Sequence, residues 1–226
     1  MSQDFTGKII LLKPTDASAK TADIVESMLT DVLESGEVNV VGLSDSLFLA
    51  CAAINMATEI AKVYVDDIDI ASLEVPALGK VAAVSAHLSQ KEVGDYAVLA
   101  EREDKDLIDT TEQIVSVSRV ATVERLLTIS LMRLAKFDKI KIVAAGGSIN
   151  DAIILALKLA SGQISKDPVG IKLFYLHSIT MRNDPTKSIA AVAIYLQKGV
   201  TTRYTKRQCA VLKEIEQTDP IKKDGN

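Results

Sequence analysis

The sequence predicts an α/β chain of the α+β sandwich kind, built from two tandem β-α-β-α-β-β units. Three observations predict it. Lys139 to Ala160, KIKIVAAGGSINDAIILALKLA, reads as a β-branched run, a glycine turn and an amphipathic helix. Glu37 to Val63, EVNVVGLSDSLFLACAAINMATEIAKV, is a worn copy of the same pattern about a hundred residues earlier, the signature of an internal duplication. The 226 residues fit two domains of roughly 100, and 48% hydrophobic residues with only 4% aromatic point to Ala, Val, Ile and Leu cores suited to small layered units.

The elements follow in order. Lys8 to Leu12 is an apolar run of strand length, stopped by Pro14, which cannot donate to a ladder. Thr21 or Ser18 caps a helix whose Ile24, Val25, Met28, Leu29, Val32 and Leu33 recur at three- and four-residue spacing, and Ser35-Gly36 ends it. Val38 to Val41 is the second strand. Ser44 or Asp45 caps the next helix, which carries Leu47, Ala50, Cys51, Ile54, Ala57, Ile60 and Ala61. Asp66-Asp67 is expected to break the chain before a strand over Ile68 to Val75, and Pro76 to Lys80 turns it into the strand VAAVSAHL.

Residues 91–111 read as an acidic linker, with Tyr96 to Ala100 as a short element within it. The second unit, residues 112–199, repeats the order of the first unit at residues 1–90. It has a strand at Gln113 to Val117, a helix at Arg119 to Lys136, a strand at Lys139 to Ala145 and a helix at Ser148 to Ala160. A strand at Ile171 to Met181 follows, then a hairpin loop from Arg182 to Lys187 and a returning strand from Ser188 to Gln197. Residues 200–226 form a basic tail with no counterpart, in which Cys209 to Glu216 reads as a short helix.

Charge narrows the function classes. The net charge of −4 and pI near 5.3 exclude a protein that coats nucleic acid through its overall field. The distribution is uneven: Lys91 to Glu112 carries a net −5 and Lys198 to Asn226 a net +3. An anionic partner therefore has to meet a local patch. Two unlike cysteines, Cys51 in an apolar helix and Cys209 in the tail, make no disulfide framework and fit a reducing compartment. No stretch resembles a signal peptide or a membrane span, so a soluble cytoplasmic protein is expected, with no membrane partner.

At Lys139 to Ala160 the sequence resembles the Alba family of archaeal chromatin and RNA-binding proteins. Ile142-Val143-Ala144, Ala145-Gly146-Gly147 and Ser148-Ile149-Asn150 stand where that family runs a strand into a basic-Gly-basic turn and a helix. Ile54 to Ile70 looks like the family's helix end, acidic turn and third strand. The resemblance implies small β-α-β-α-β-β domains that work as dimers, here as an intramolecular pseudo-dimer of two Alba-like repeats. Its functional residues are depleted: Ala145 and Gly147 replace the two basic residues of the turn, Asp151 stands at a commonly basic position, and the first repeat has Leu43-Ser44-Asp45. Alanine and glycine cannot supply the bidentate contact of a guanidinium with phosphate.

The resemblance implies further candidate nucleic-acid contacts in the first loops and the second hairpin, and the tail's basic cluster adds its own. They are Lys13 and Lys20 in the first repeat's first loop, Arg119 and Arg125 at the corresponding place in the second, Arg182 and Lys187 in the second hairpin, and Arg203, Tyr204, Lys206 and Arg207 in the tail. The tail also reads as a solvated end, and the glycine turn reads either as an anion cradle or as plain strand-to-helix geometry. His87 and His177 read as ordinary strand histidines and Cys51 as core packing. No nucleophile triad, carboxylate pair or nucleotide loop points to an enzyme, and no metal or cofactor is expected. Two functions remain: binding RNA or DNA through its backbone, or serving as a non-binding assembly partner, as a homo-oligomer or beside a basic member of the same family.

Overall fold

A computed structural model describes residues 8–91, 108–164, 167–181 and 183–217. The chain divides into two compact units, Met1–Val93 together with Tyr204–Asn226, and Gly94–Arg203. Each holds a four-stranded mixed sheet with two interleaved helices, an α+β arrangement.

In the first unit the order is β1 (Lys8–Leu12), α1 (Thr21–Ser35), β2 (Glu37–Leu43), α2 (Leu47–Ile60), β3 (Tyr64–Val75) and β4 (Gly79–Ser89). The sheet runs β1-β2-β4-β3, with β1 parallel to β2 and the other pairs antiparallel. α1 stops at Gly36, which adopts φ +82° and donates its N–H to Val32 O, the left-handed helix cap that glycine tolerates best. Gly42 faces α2 so closely that a Cβ would stand 2.5 Å from Ala50 Cβ, so the small pair sets how near the helix lies to the sheet. Met28, Val32, Val38, Val40, Ile54, Ala57, Val84 and Leu88 are fully or almost fully buried in this unit. Asp66-Asp67 does not break the chain as expected. β3 runs through it from Tyr64 and absorbs the irregularity as a β-bulge between Val65 and Asp67, because β4 continues as its partner.

The second unit repeats the order with α3 (Val123–Phe137) and α4 (Ile149–Ala160) among β5 (Ile114–Ser116), β6 (Lys139–Ala145), β7 (Val169–Met181) and β8 (Asp184–Lys198), in the sheet order β5-β6-β8-β7. α3 begins four residues later than Arg119 because the Thr122 hydroxyl caps it, accepting from Arg125 N–H at 3.4 Å. The first strand is trimmed to three residues by a 3-10 turn at Thr111–Gln113. The second hairpin loop is shorter than expected, since β8 pairs from Asp184 opposite Met181.

The outer face of the first sheet, opposite α1 and α2, is apolar at one end and polar at the other. Alternation along the strands puts Val41, Leu43, Ala71, Leu73, Val75 and Ala83 at the first end and Asn39, Asp67, Asp69, Ser85 and His87 at the second. A fifth helix, α5 (Lys206–Gln217), lies across this face with Val211, Leu212 and Ile215 buried on the apolar end. The expected tail helix thus exists, is longer than Cys209 to Glu216, and belongs to the first unit. No helix among the described residues is long and apolar enough to cross a membrane.

Candidate nucleic-acid interface

The glycine turn of the second unit carries the most informative geometry. Ala145 ends β6, a 3-10 turn covers Gly146–Ser148, and α4 begins at Ile149. Gly146 has φ +56°, a left-handed backbone that favours glycine, and a Cβ on it would stand 2.6 Å from Ile189 Cδ1, so the end of that side chain would also have to shift. A Cβ on Gly147 would stand 3.1 Å from Arg119 Nη2 and 3.4 Å from Arg119 Nε. The Arg119 guanidinium therefore lies across Gly147 at the start of α4. The turn's missing charge is returned in space by the preceding loop. A cation at the positive end of a helix dipole is unfavourable by itself, and an anion held there relieves both. Arg119 and Arg125 are exposed and make no ion pair with another described residue.

The corresponding turn of the first unit is closed by its own bonds. Ser46 Oγ accepts from Leu43 N–H at 3.0 Å and donates to Leu12 O at 2.7 Å, while Asp45 adds negative charge and Ser44 takes φ +50°. Lys13 is half-buried, its N–H donating to the Asp16 carboxylate at 2.8 Å, and Lys20 is exposed just before α1. Lys187 pairs with Asp184 at 2.8 Å, an exposed contact that holds the Asp184 carboxyl below its ordinary value. Arg182 lies outside the described residues.

In the tail, Arg203, Lys206 and Arg207 are exposed, but Tyr204 is half-buried against the first sheet and donates its hydroxyl to Ile70 O at 3.1 Å. Burial, with the nearby Asp69 carboxylate, pushes that phenol up to about 12. Thr205 and Gln208 form a reciprocal cap: Thr205 N–H donates to Gln208 Oε1 at 2.7 Å and Gln208 N–H to Thr205 Oγ at 3.2 Å. Both side chains also reach the sheet, Thr205 Oγ donating to Asp67 Oδ2 at 2.8 Å and Gln208 Nε2 to Asp67 Oδ1 at 2.5 Å.

Sequence reasoning missed the polar cluster under this helix. His87, 3% exposed, places Nδ1 3.2 Å from Asn39 Oδ1 and Nε2 3.3 Å from Asp66 and 3.5 Å from Glu37. Burial lowers its pKa, helped by Arg207 and opposed by Asp66, Glu37 and Asp67. Burial also raises Asp67 and pushes Asp69 up to about 7. His177 stacks on Tyr175 with centroids 5.2 Å apart, and burial lowers its pKa as well. Cys51 is buried, its thiol pushed up to about 12, and Cys209 is exposed. Among the described residues no group of three or more His, Cys, Asp or Glu is arranged to hold a metal ion.

No family model and no curated protein matches the chain. Among solved structures it is similar to the crystal structure of Alba1 from Trypanosoma brucei, at 18% identity and a TM-score of 0.34, over 48% of this chain and 83% of that one.

Proposed function

We propose that the chain binds the sugar–phosphate backbone of RNA or DNA chiefly through its second unit, with Arg119 and Arg125 as the principal phosphate contacts. The observation that carries this reading is the Arg119 guanidinium lying across Gly147 at the N-terminal end of α4. Two positive features held side by side suit an anion between them, and a phosphate meets both the guanidinium fork and the helix end. Arg182 and Lys187 on the hairpin and Lys13 and Lys20 in the first unit are secondary contacts. In the tail, Arg203, Lys206 and Arg207 retain exposed charge, whereas the Tyr204 ring and hydroxyl are engaged with the first sheet.

The test is fluorescence anisotropy with a single-stranded RNA and a DNA duplex at several salt concentrations. Retention at about 50 mM salt that weakens steeply toward 200 mM is expected, since each phosphate contact releases counterions. Replacing both arginines by alanine is expected to weaken binding and to flatten the salt slope by roughly two contacts. No retention of either nucleic acid at the lowest salt removes the reading.

A second reading, assembly through a protein surface, is favoured by one observation. Leu33 is 75% exposed and Ile60 58% exposed, and Leu33 lines a groove of about 330 Å³ with Leu29, Val32, Ala61, Lys62, Val63 and Gln90. Light scattering that shows a strict monomer, together with no association with a basic Alba-family protein, removes it.

A further inference from the structure

The loop that carries Arg119 is short and fixed at both ends. Just past β5, Val117 N–H donates to Val143 O at 2.9 Å, and at the other end Thr122 caps α3. Between them Ala121 N–H donates to Ser118 O at 3.1 Å, closing a β-turn with Arg119 and Val120 as its two central residues. Neither of the two has a positive φ, so this is a turn that ordinary residues can make.

Val120 breaks two local rules. It is 94% exposed, against 75% for Leu33 and 69% for Met132, so the chain itself gives its isopropyl group almost no cover. Turn tips favour Gly, Pro, Asn, Asp and Ser, and valine offers neither the backbone freedom nor the side-chain hydrogen bond for which those residues are used. A single exposed apolar side chain is ordinary on its own. This one shares the tip of a pinned turn with Arg119, whose guanidinium lies across Gly147, and the exposed Arg125 follows on the first turn of α3. A residue that local chemistry disfavours, set beside binding groups, has its reason in what is bound.

We infer that Val120 is itself a nucleic-acid contact, its isopropyl group lying against the sugar and base surface while Arg119 and Arg125 hold the phosphates. The inference rests on the backbone-binding reading above and adds to it a contact that carries no charge. Nucleic acids set apolar sugar and base faces between charged phosphates, and a turn that pairs a guanidinium with an apolar tip matches that alternation. Apolar side chains meet base methyls or enter a groove in the same way. Covering part of a valine side chain strengthens binding by about three- to tenfold. No counterion leaves with it, so the gain is the same at every salt concentration.

The experiment is fluorescence anisotropy with a single-stranded RNA and with a DNA duplex, at several salt concentrations, on the unaltered full chain, Val120→Ser and Val120→Ile. V120S is expected to bind one or both nucleic acids about three- to tenfold more weakly, with a salt slope parallel to that of the unaltered chain. V120I is expected to keep the affinity. The thermal midpoint of V120S is expected to stay put, since the side chain is 94% exposed. Equal affinities of V120S and the unaltered chain for both nucleic acids overturn the inference and leave the backbone reading standing. A loss accompanied by a flatter salt slope also overturns it, because the variant has then displaced a phosphate contact instead of an apolar one. So does an equal loss in V120I, which keeps the apolar surface. An unaltered chain that retains neither nucleic acid at the lowest salt overturns this inference together with the reading it rests on.

Discussion

Gln208 donates its amide Nε2–H to Asp67 Oδ1 at 2.5 Å, joining residues 141 positions apart in the chain. The same glutamine caps its own helix by accepting Thr205 N–H. Gln208→Ala therefore removes a cap and leaves a partly buried carboxylate one donor short. A loss of about 2 kcal/mol in stability is expected, the usual range for a hydrogen bond to a charged group. Urea denaturation of the full chain measures it, and a loss within about 0.5 kcal/mol, the scale of an ordinary surface change, contradicts the docked geometry.

Gly42 and Gly147 look alike in sequence and differ in what surrounds them. Gly42→Ala sets a methyl 2.5 Å from Ala50 Cβ, with Ser46 O at 3.1 Å and Val84 Cγ1 at 3.3 Å. Overpacking of this kind is expected to cost about 1–3 kcal/mol, read from the denaturation midpoint.

Gly147→Ala meets only the exposed Arg119 side chain, which can swing away. Stability is expected to hold within about 0.5 kcal/mol, while affinity for RNA or duplex DNA falls as the guanidinium leaves the helix start. Arg119→Lys is the companion variant: it keeps the charge and loses the planar fork, so affinity falls without a change in the salt slope. Anisotropy titrations at two salt concentrations separate the two effects.

His87 sets an acid limit on the first unit. Its lowered pKa means that its contribution to stability is present above about 6.5 and is lost as pH falls below that value. The thermal midpoint of the full chain minus that of His87→Gln is expected to fall as pH drops from about 6.5 toward 5, a difference that isolates His87 from the opposing contribution of the raised Asp67 and Asp69 carboxyls. A profile identical in the two proteins sinks the assignment.

Much of the fold is legible in the sequence because its cause is local. The apolar runs KIILL and VAAVSAHL, the three- and four-residue spacing of Ile24 to Val32, and the stop at Gly36 each act over a few residues, and each element appears where its pattern lies. The misread boundaries arise where a partner decides. Asp66-Asp67 has the composition of a break, yet β4 holds it in the sheet and His87 approaches Asp66 at 3.3 Å. Arg119 reads as helical and is displaced into the loop by the Thr122 cap, which is what frees its side chain to reach Gly147. The tail's cap, Thr205 to Gln208, and its apolar positions Val211, Leu212 and Ile215 are visible as a pattern. That they answer Asp67, Leu43 and Leu73 is not, since no local rule links residues so far apart.

The first unit is begun before the second and closed after it, because α5 follows the whole of Gly94–Arg203 in the chain. At a synthesis rate of about 5–20 residues per second, the stretch from Ser89 to Lys206 takes roughly 6 to 24 s to make. Throughout that interval the nascent first sheet presents Val41, Leu43, Leu73 and Val75 uncovered on the ribosome. The protein thus carries an open apolar face through about half of its own translation, and a chaperone that recognises such a face has its first opportunity there.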